Sequence, residues 1–178
     1  MPTETKSVTE RIRTAFERSA KAVSLRPSIG QGTAVTTVRV RDGLTCEIED
    51  GPWSLTADVS ERHGGNAEGP DPGVLGRAGL GSCLAVGYTQ WAARRGVPIH
   101  GLTVEIEADY DARGELGVDE DVSPAYSEVR VVVTVESEAP EAEICAVLSE
   151  AEAHSPWLTV FEEPVRVVRE AWFCAPRD

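Results

Sequence analysis

The chain has 178 residues, 41% of them hydrophobic and 26% charged, enough for one domain with a substantial core. A formal net charge of −13 argues against a nucleic-acid or anionic-membrane surface, since either partner needs a basic face. No apolar run approaches the ~18 residues of a membrane span. The charged N-terminus has no signal-peptide apolar core, so a cytoplasmic location is expected. The four cysteines, Cys46, Cys83, Cys145 and Cys174, form no Cys-x-x-Cys pair. Their scatter fits reduced thiols better than a disulfide framework or a zinc site.

Taken in order, residues 7–25 carry Val8, Ile12, Phe16, Ala20 and Val23 at helical spacing, and Pro27 and Gly30 end that helix. Residues 1–30 are read as an N-terminal helix and linker, and 31–178 as the main domain. Residues 33–41 are β-branched and alternating, and Asp42-Gly43 is a hairpin signal. Leu44, Cys46 and Ile48 alternate next, residues 50–52 turn the chain, and 53–59 alternate again, which predicts a three-stranded antiparallel meander. Cys46 lies on its apolar face, the usual place of a small buried hydrophobe. Residues 60–73 form a Gly/Pro loop, with His63 a surface or structural histidine.

Residues 71–98 are the centre of the chain. Asp71 is an N-cap and Pro72 the first helical residue, while Arg94, Arg95, Gly96 and Pro98 mark the end. About 24 residues lie between, roughly 36 Å of helix. Arg77 is the only charge between Asp71 and Arg94, so the helix should be buried. Cys83 shares a face with Gly76, Gly79 and Gly87. These glycines cost about 1 kcal/mol each relative to alanine and are expected to admit another backbone.

Residues 101–110 alternate cleanly. The stretch 109–120 imitates a calcium loop, with Asp109, Asp111, Gly114 and Glu120 at the right offsets. Arg113, however, stands where a ligand belongs and a strand precedes it, so an acidic hairpin connection is expected. Residues 126–137 read as a strand pairing with 101–110. Residues 140–154 read as a second helix that Ser155 and Pro156 break, with Cys145 beside its apolar stripe. Residues 164–172 read as a final strand. This order gives an α+β fold with antiparallel sheets and helices on one face.

Few residues offer chemistry. Gly76, Gly79 and Gly81 lie inside a helix and make no dinucleotide loop, and no serine sits in a Gly-x-Ser-x-Gly elbow. Cys83 stands out, but a thiol needs a nearby cation or helix N-terminus to become a nucleophile, and Cys83 is mid-helix. From its residues alone it is either an inert core thiol or one activated across the fold.

The sequence resembles the OsmC/Ohr family of osmotically induced and organic-hydroperoxide-resistance proteins over roughly residues 33–170. Gly64, Gly65 and Asn66 match the family's loop. Pro72, Leu75, Ala78 or Gly79, and Cys83 follow its central helix, and Asp111, Gly114 and Gly117 fit one branch. The resemblance implies an intertwined homodimer with two central helices buried between sheets of both subunits. It also implies attack by Cys83 on an organic hydroperoxide, aided by an arginine from the first sheet and a glutamate near the glycine loop. Arg41 is the match for the arginine, with Arg39 second. Glu61 is taken for the glutamate, one residue from the position where Arg62 stands. The family's resolving Cys-Pro is replaced by Ser155-Pro156, so an external dithiol reductant is expected. No cofactor or metal is implied. Two functions stay open: single-cysteine peroxide reduction through Cys83, or a non-enzymatic, stress-related dimer that binds a small apolar ligand and in which Cys83 is structural.

Overall fold

A computed structural model describes residues 7–175. Helix α1 (Val8–Leu25) is capped by Ser7, whose hydroxyl accepts the Glu10 N–H at 3.2 Å. It lays Phe16 edge-on against Trp91, ring centroids 5.3 Å apart, and the Arg94 guanidinium covers both rings. A 3-10 turn at Pro27–Gly30 leads to the meander of β1 (Thr37–Asp42), β2 (Thr45–Asp50) and β3 (Trp53–Ala57). The register pairs Val38 with Ile48 and Ile48 with Leu55, then Val40 with Cys46 and Cys46 with Ala57. All six therefore share one face. Gly43 and Gly51 take positive φ in the two turns, where a side chain would be strained.

The central helix, α2 (Pro72–Arg95), has the expected ends. Asp71 Oδ1 accepts the Val74 N–H at 2.9 Å, and Gly96 is left-handed at φ 72°. Strands β4 (Gly101–Asp109) and β5 (Glu128–Glu136) form a second antiparallel pair. They turn Leu102, Val104, Ile106, Val129, Val131 and Val133 toward the helices. Within the connection the short helix α3 (Ala112–Glu115) forms, and Arg113 pairs with Asp111 and Asp119. The guanidinium thus neutralises carboxylates of the acidic connection. Helices α4 (Glu141–Glu152) and α5 (Pro156–Glu162) follow and pack on α2.

The core is built on one side of α2. Leu80, Leu84, Tyr88, Trp91 and Ala92 interlock with Val97, Val147 and Ala151. Tyr88 is fully buried and donates its hydroxyl to Glu152 at 2.8 Å. Burial first, and the Glu152 acceptor second, push its phenol well above the ordinary value. No residue of β1–β3 belongs to this core. The meander's Val38, Val40 and Leu55 are exposed, as are Val74 and Val86 on the other side of α2. No helix among the described residues is long and apolar enough to cross a membrane.

One expectation needs correction, and two gain detail. Residues 164–172 form no strand: the segment runs exposed to Ala175 without a ladder partner among the described residues, and a valine-rich segment is a strand only when an edge pairs with it. Ser155 and Pro156 do more than stop α4. They start α5, with Ser155 as N-cap and Pro156 at the first helical position. The glycines of α2 admit no neighbouring backbone within the chain. A Cβ at Gly79 would meet the Trp157 ring at 3.7 Å, one at Gly87 would meet the Ala151 methyl at 3.7 Å, and one at Gly76 would meet nothing.

Candidate functional site

Cys83 sits halfway along α2, half-buried, one turn beyond Gly79. Helix α5 is laid against this turn. The Trp157 indole lies over Gly79 on the helix surface, and Ser155, two residues earlier, comes beside the thiol. Ser155 Oγ is 3.5 Å from Cys83 Sγ, the only hydrogen-bond partner of that sulfur among the described residues. The serine is itself 4% exposed, whereas Trp157 keeps 45% of its surface open. The site thus offers a thiol, a buried hydroxyl and an exposed aromatic wall.

A second polar cluster lies under the glycine loop. Asp58 is buried and accepts the Thr45 hydroxyl at 2.8 Å and the N–H groups of Val59 at 2.7 Å, Asn66 at 3.1 Å and Glu68 at 3.3 Å. Asn66 adds a bond from its side-chain amide to the Thr45 hydroxyl at 3.0 Å. Burial works against the Asp58 charge, but these four hydrogen bonds outweigh it and hold the carboxyl below its ordinary range. The loop is thereby folded back on β3 so closely that a Cβ at Gly65 would run into the Val59 carbonyl and the Asp58 carboxylate.

That fold-back presents Glu68 to Arg41. The Arg41 guanidinium is ion-paired with Glu68 and, at 3.3 Å, with Glu47. The Glu68 charge, then its hydrogen bond, raise the arginine's already high proton affinity, so it stays cationic. Arg39 pairs with Glu49 in the same way. Glu61 opens the 3-10 turn Glu61–His63, where its carbonyl accepts the Gly64 N–H at 3.0 Å. Within one chain neither Arg41 nor Glu61 is bonded to Cys83; Ser155 alone is.

Asp58 and Glu68 carry no signal in the sequence, whereas Trp157 closes the stretch 154–157, which belongs to the family resemblance. Asp58 and Thr45 fall on the polar face of alternating strands, which gives no sign of a buried network. Trp157 also carries a local signal. Ser155-Pro156 has the same N-cap and first-turn grammar as Asp71-Pro72, and it implies a helix that carries Trp157 in its first turn.

Together, the fold and site define a two-sheet α+β protein with one half-buried thiol on a central helix and a glycine loop ahead of it. The family model of OsmC-like protein matches residues 64–169, and the chain belongs to that family. An OsmC like protein from Mycoplasma pneumoniae has the same fold at a TM-score of 0.65 and 15% identity, covering 75% of this chain and 90% of that one. An organic hydroperoxide resistance protein OsmC from Legionella pneumophila aligns at a TM-score of 0.54 and 16% identity, covering 73% and 89%. An organic hydroperoxide resistance protein from Vibrio cholerae, with captopril in one of its active sites, aligns at 0.52 and 12% identity, covering 75% and 86%. At these identities the likeness is one of fold. No curated protein matches the chain in sequence.

Proposed function

We propose that the protein is a homodimeric, thiol-dependent reductase of organic hydroperoxides that works through Cys83 and an external thiol. The observation that carries this reading is the half-buried Cys83 sulfur held by a hydroxyl beside an exposed indole, in a fold shared with organic hydroperoxide resistance proteins. The thiolate attacks one peroxide oxygen; an S–O bond forms, the O–O bond breaks, and the alkoxide leaves as an alcohol after taking a proton. Cys83 becomes a sulfenic acid, oxidised by two electrons. An external thiol then forms a mixed disulfide with release of water, and a second thiol regenerates Cys83 and leaves as a disulfide. Trp157 supplies an apolar wall for the organic group.

The dimer is proposed from what the chain leaves bare. Val38, Val40 and Leu55 of the meander, Val74 and Val86 of α2, and Val165, Val167, Trp172 and Phe173 near the C-terminus are all exposed. A second copy would cover such surfaces, since apolar residues gathered at a surface mark interaction sites. The meander's apolar face would lie against α2 of the other copy, whereas Arg41 stands with Glu47 on the opposite face. Its part in the site would require release from Glu68 and Glu47 toward the partner's thiol, with Glu61 flanking the entrance. Reduced thiols such as the four free cysteines suit the cytoplasm.

The test is consumption of cumene hydroperoxide in the presence of a dithiol by the wild-type protein and Cys83→Ser. Turnover that disappears with Cys83, with sulfenic acid trapped on that residue in single turnover, supports the reading; turnover unchanged in Cys83→Ser ends it. The second reading, a non-enzymatic dimer holding an apolar ligand, is favoured by the engagement of Arg41 by two carboxylates. It requires no peroxide turnover at all and a melting temperature raised by the ligand.

A further inference from the structure

We propose that Ser155 is a positioning residue for the Cys83 sulfur, donating its hydroxyl proton to the thiolate and afterwards to the oxidised sulfur. This rests on the reading of Cys83 as the nucleophile. The serine is fixed at every other atom. Its N–H donates to the Glu152 carbonyl at 3.0 Å, and its own carbonyl accepts the Thr159 N–H at 3.1 Å and the Thr159 hydroxyl at 3.0 Å. Pro156 keeps its backbone extended, at φ −88° and ψ 111°. Its Oγ accepts the Leu158 N–H at 3.3 Å, which occupies one lone pair and leaves the hydroxyl proton for the sulfur 3.5 Å away.

The direction of that bond depends on the state of Cys83. While the thiol carries its proton, either partner can donate. The thiolate has none, so only the hydroxyl can donate, and a bond to an ionised acceptor is the stronger kind. The contact is therefore a one-way bond, hydroxyl to sulfur, in the form of Cys83 that attacks. After oxygen transfer the hydroxyl still faces the sulfur but cannot close a disulfide with it, so the sulfenic acid stays open to an incoming thiol. A serine where the family resemblance expects a resolving cysteine thus holds the sulfur and leaves resolution to another molecule.

The experiment compares the second-order rates of Cys83 alkylation by iodoacetamide and of its oxidation by cumene hydroperoxide, read by mass spectrometry of its peptide, in wild type, Ser155→Ala and Ser155→Thr. Loss of the hydroxyl is expected to slow both reactions by about threefold to tenfold, while threonine keeps the wild-type rates. The helix-capping role of Ser155 shows instead in the melting temperature of the folded variants. A folded Ser155→Ala with the wild-type rates overturns the inference. If alanine does not fold, Ser155→Cys decides. One equivalent of cumene hydroperoxide should then join Cys83 to the introduced cysteine, with loss of two hydrogens, and absence of that disulfide overturns the juxtaposition. A wild-type protein that consumes hydroperoxide while both variants fail these expectations leaves the peroxidase reading standing and removes Ser155 from it. A wild-type protein inert to hydroperoxide removes the peroxidase reading itself.

Discussion

Arg41 of β1 is ion-paired with Glu68, a residue placed by the loop that Asp58 folds back over β3. The pair lies at the surface, so it adds little to stability. Its consequence is geometric: one loop aims the arginine. Arg41→Ala is expected to lower kcat/KM for cumene hydroperoxide by about 10²-fold, the scale of losing one positioned charge-stabilising donor. Arg41→Lys should recover only part of this, because an ammonium cannot hold Glu68 and a second anion in one plane. Steady-state kinetics of the two variants check both statements.

Asp58 makes the loop sensitive to acid. Its carboxyl is held below the ordinary range in the folded protein, so the unfolded chain takes up its proton at the higher pH. The stabilisation is complete above the ordinary aspartate value of about 3.9 and is lost as pH falls through the lower folded value. Thermal unfolding from pH 6 down to 2 should therefore show an acid limb that Asp58→Asn flattens. The variant should also be less stable at neutral pH, since an amide cannot accept all four donors.

Val86 tests the proposed dimer. It is 56% exposed on the side of α2 away from the core, so a charge there is tolerated by the single chain. Val86→Arg is expected to give a folded monomer by light scattering, with peroxide turnover reduced at least tenfold if Arg41 acts across the interface. An unchanged dimer would show that this face of α2 is not the contact.

Two glycines predict opposite outcomes from the same change. At Gly79 an added methyl meets the Trp157 ring at 3.7 Å, an ordinary contact, so Gly79→Ala should stabilise the helix by up to about 1 kcal/mol. At Gly65 it would strike the Val59 carbonyl, and relief requires opening the Asp58 network. Gly65→Ala should cost several times what the first change gains. Urea unfolding of the two variants measures both.

The parts of the fold legible in the sequence were those written in local grammar. The ends of α2 were read from Asp71, Pro72 and Gly96, and both sheets from strict alternation. What escaped was decided by contacts between distant segments. Residues 164–172 are rich in valine, but no strand among the described residues pairs with them. Asp58 and Thr45, 13 positions apart, become one buried hydrogen bond only once β2 and β3 are paired. For the site, the sequence pointed to Cys83, and to Ser155 as the residue in the resolver's place. That Ser155 meets the thiol, and that Trp157 lies over Gly79, required the packing of α5 on α2.

The C-terminal arm carries a consequence for life in a crowded cell. Val167, Trp172 and Phe173 are 88%, 89% and 96% exposed, beyond the last helix. If the proposed dimer covers this arm, a newly made chain carries an adhesive tail until it pairs, and side reactions with other nascent chains compete with that pairing. The yield of native protein should depend on how fast the tail finds its proper seat. Dilution would then lower the apparent melting temperature, because stability and protein concentration are linked through assembly.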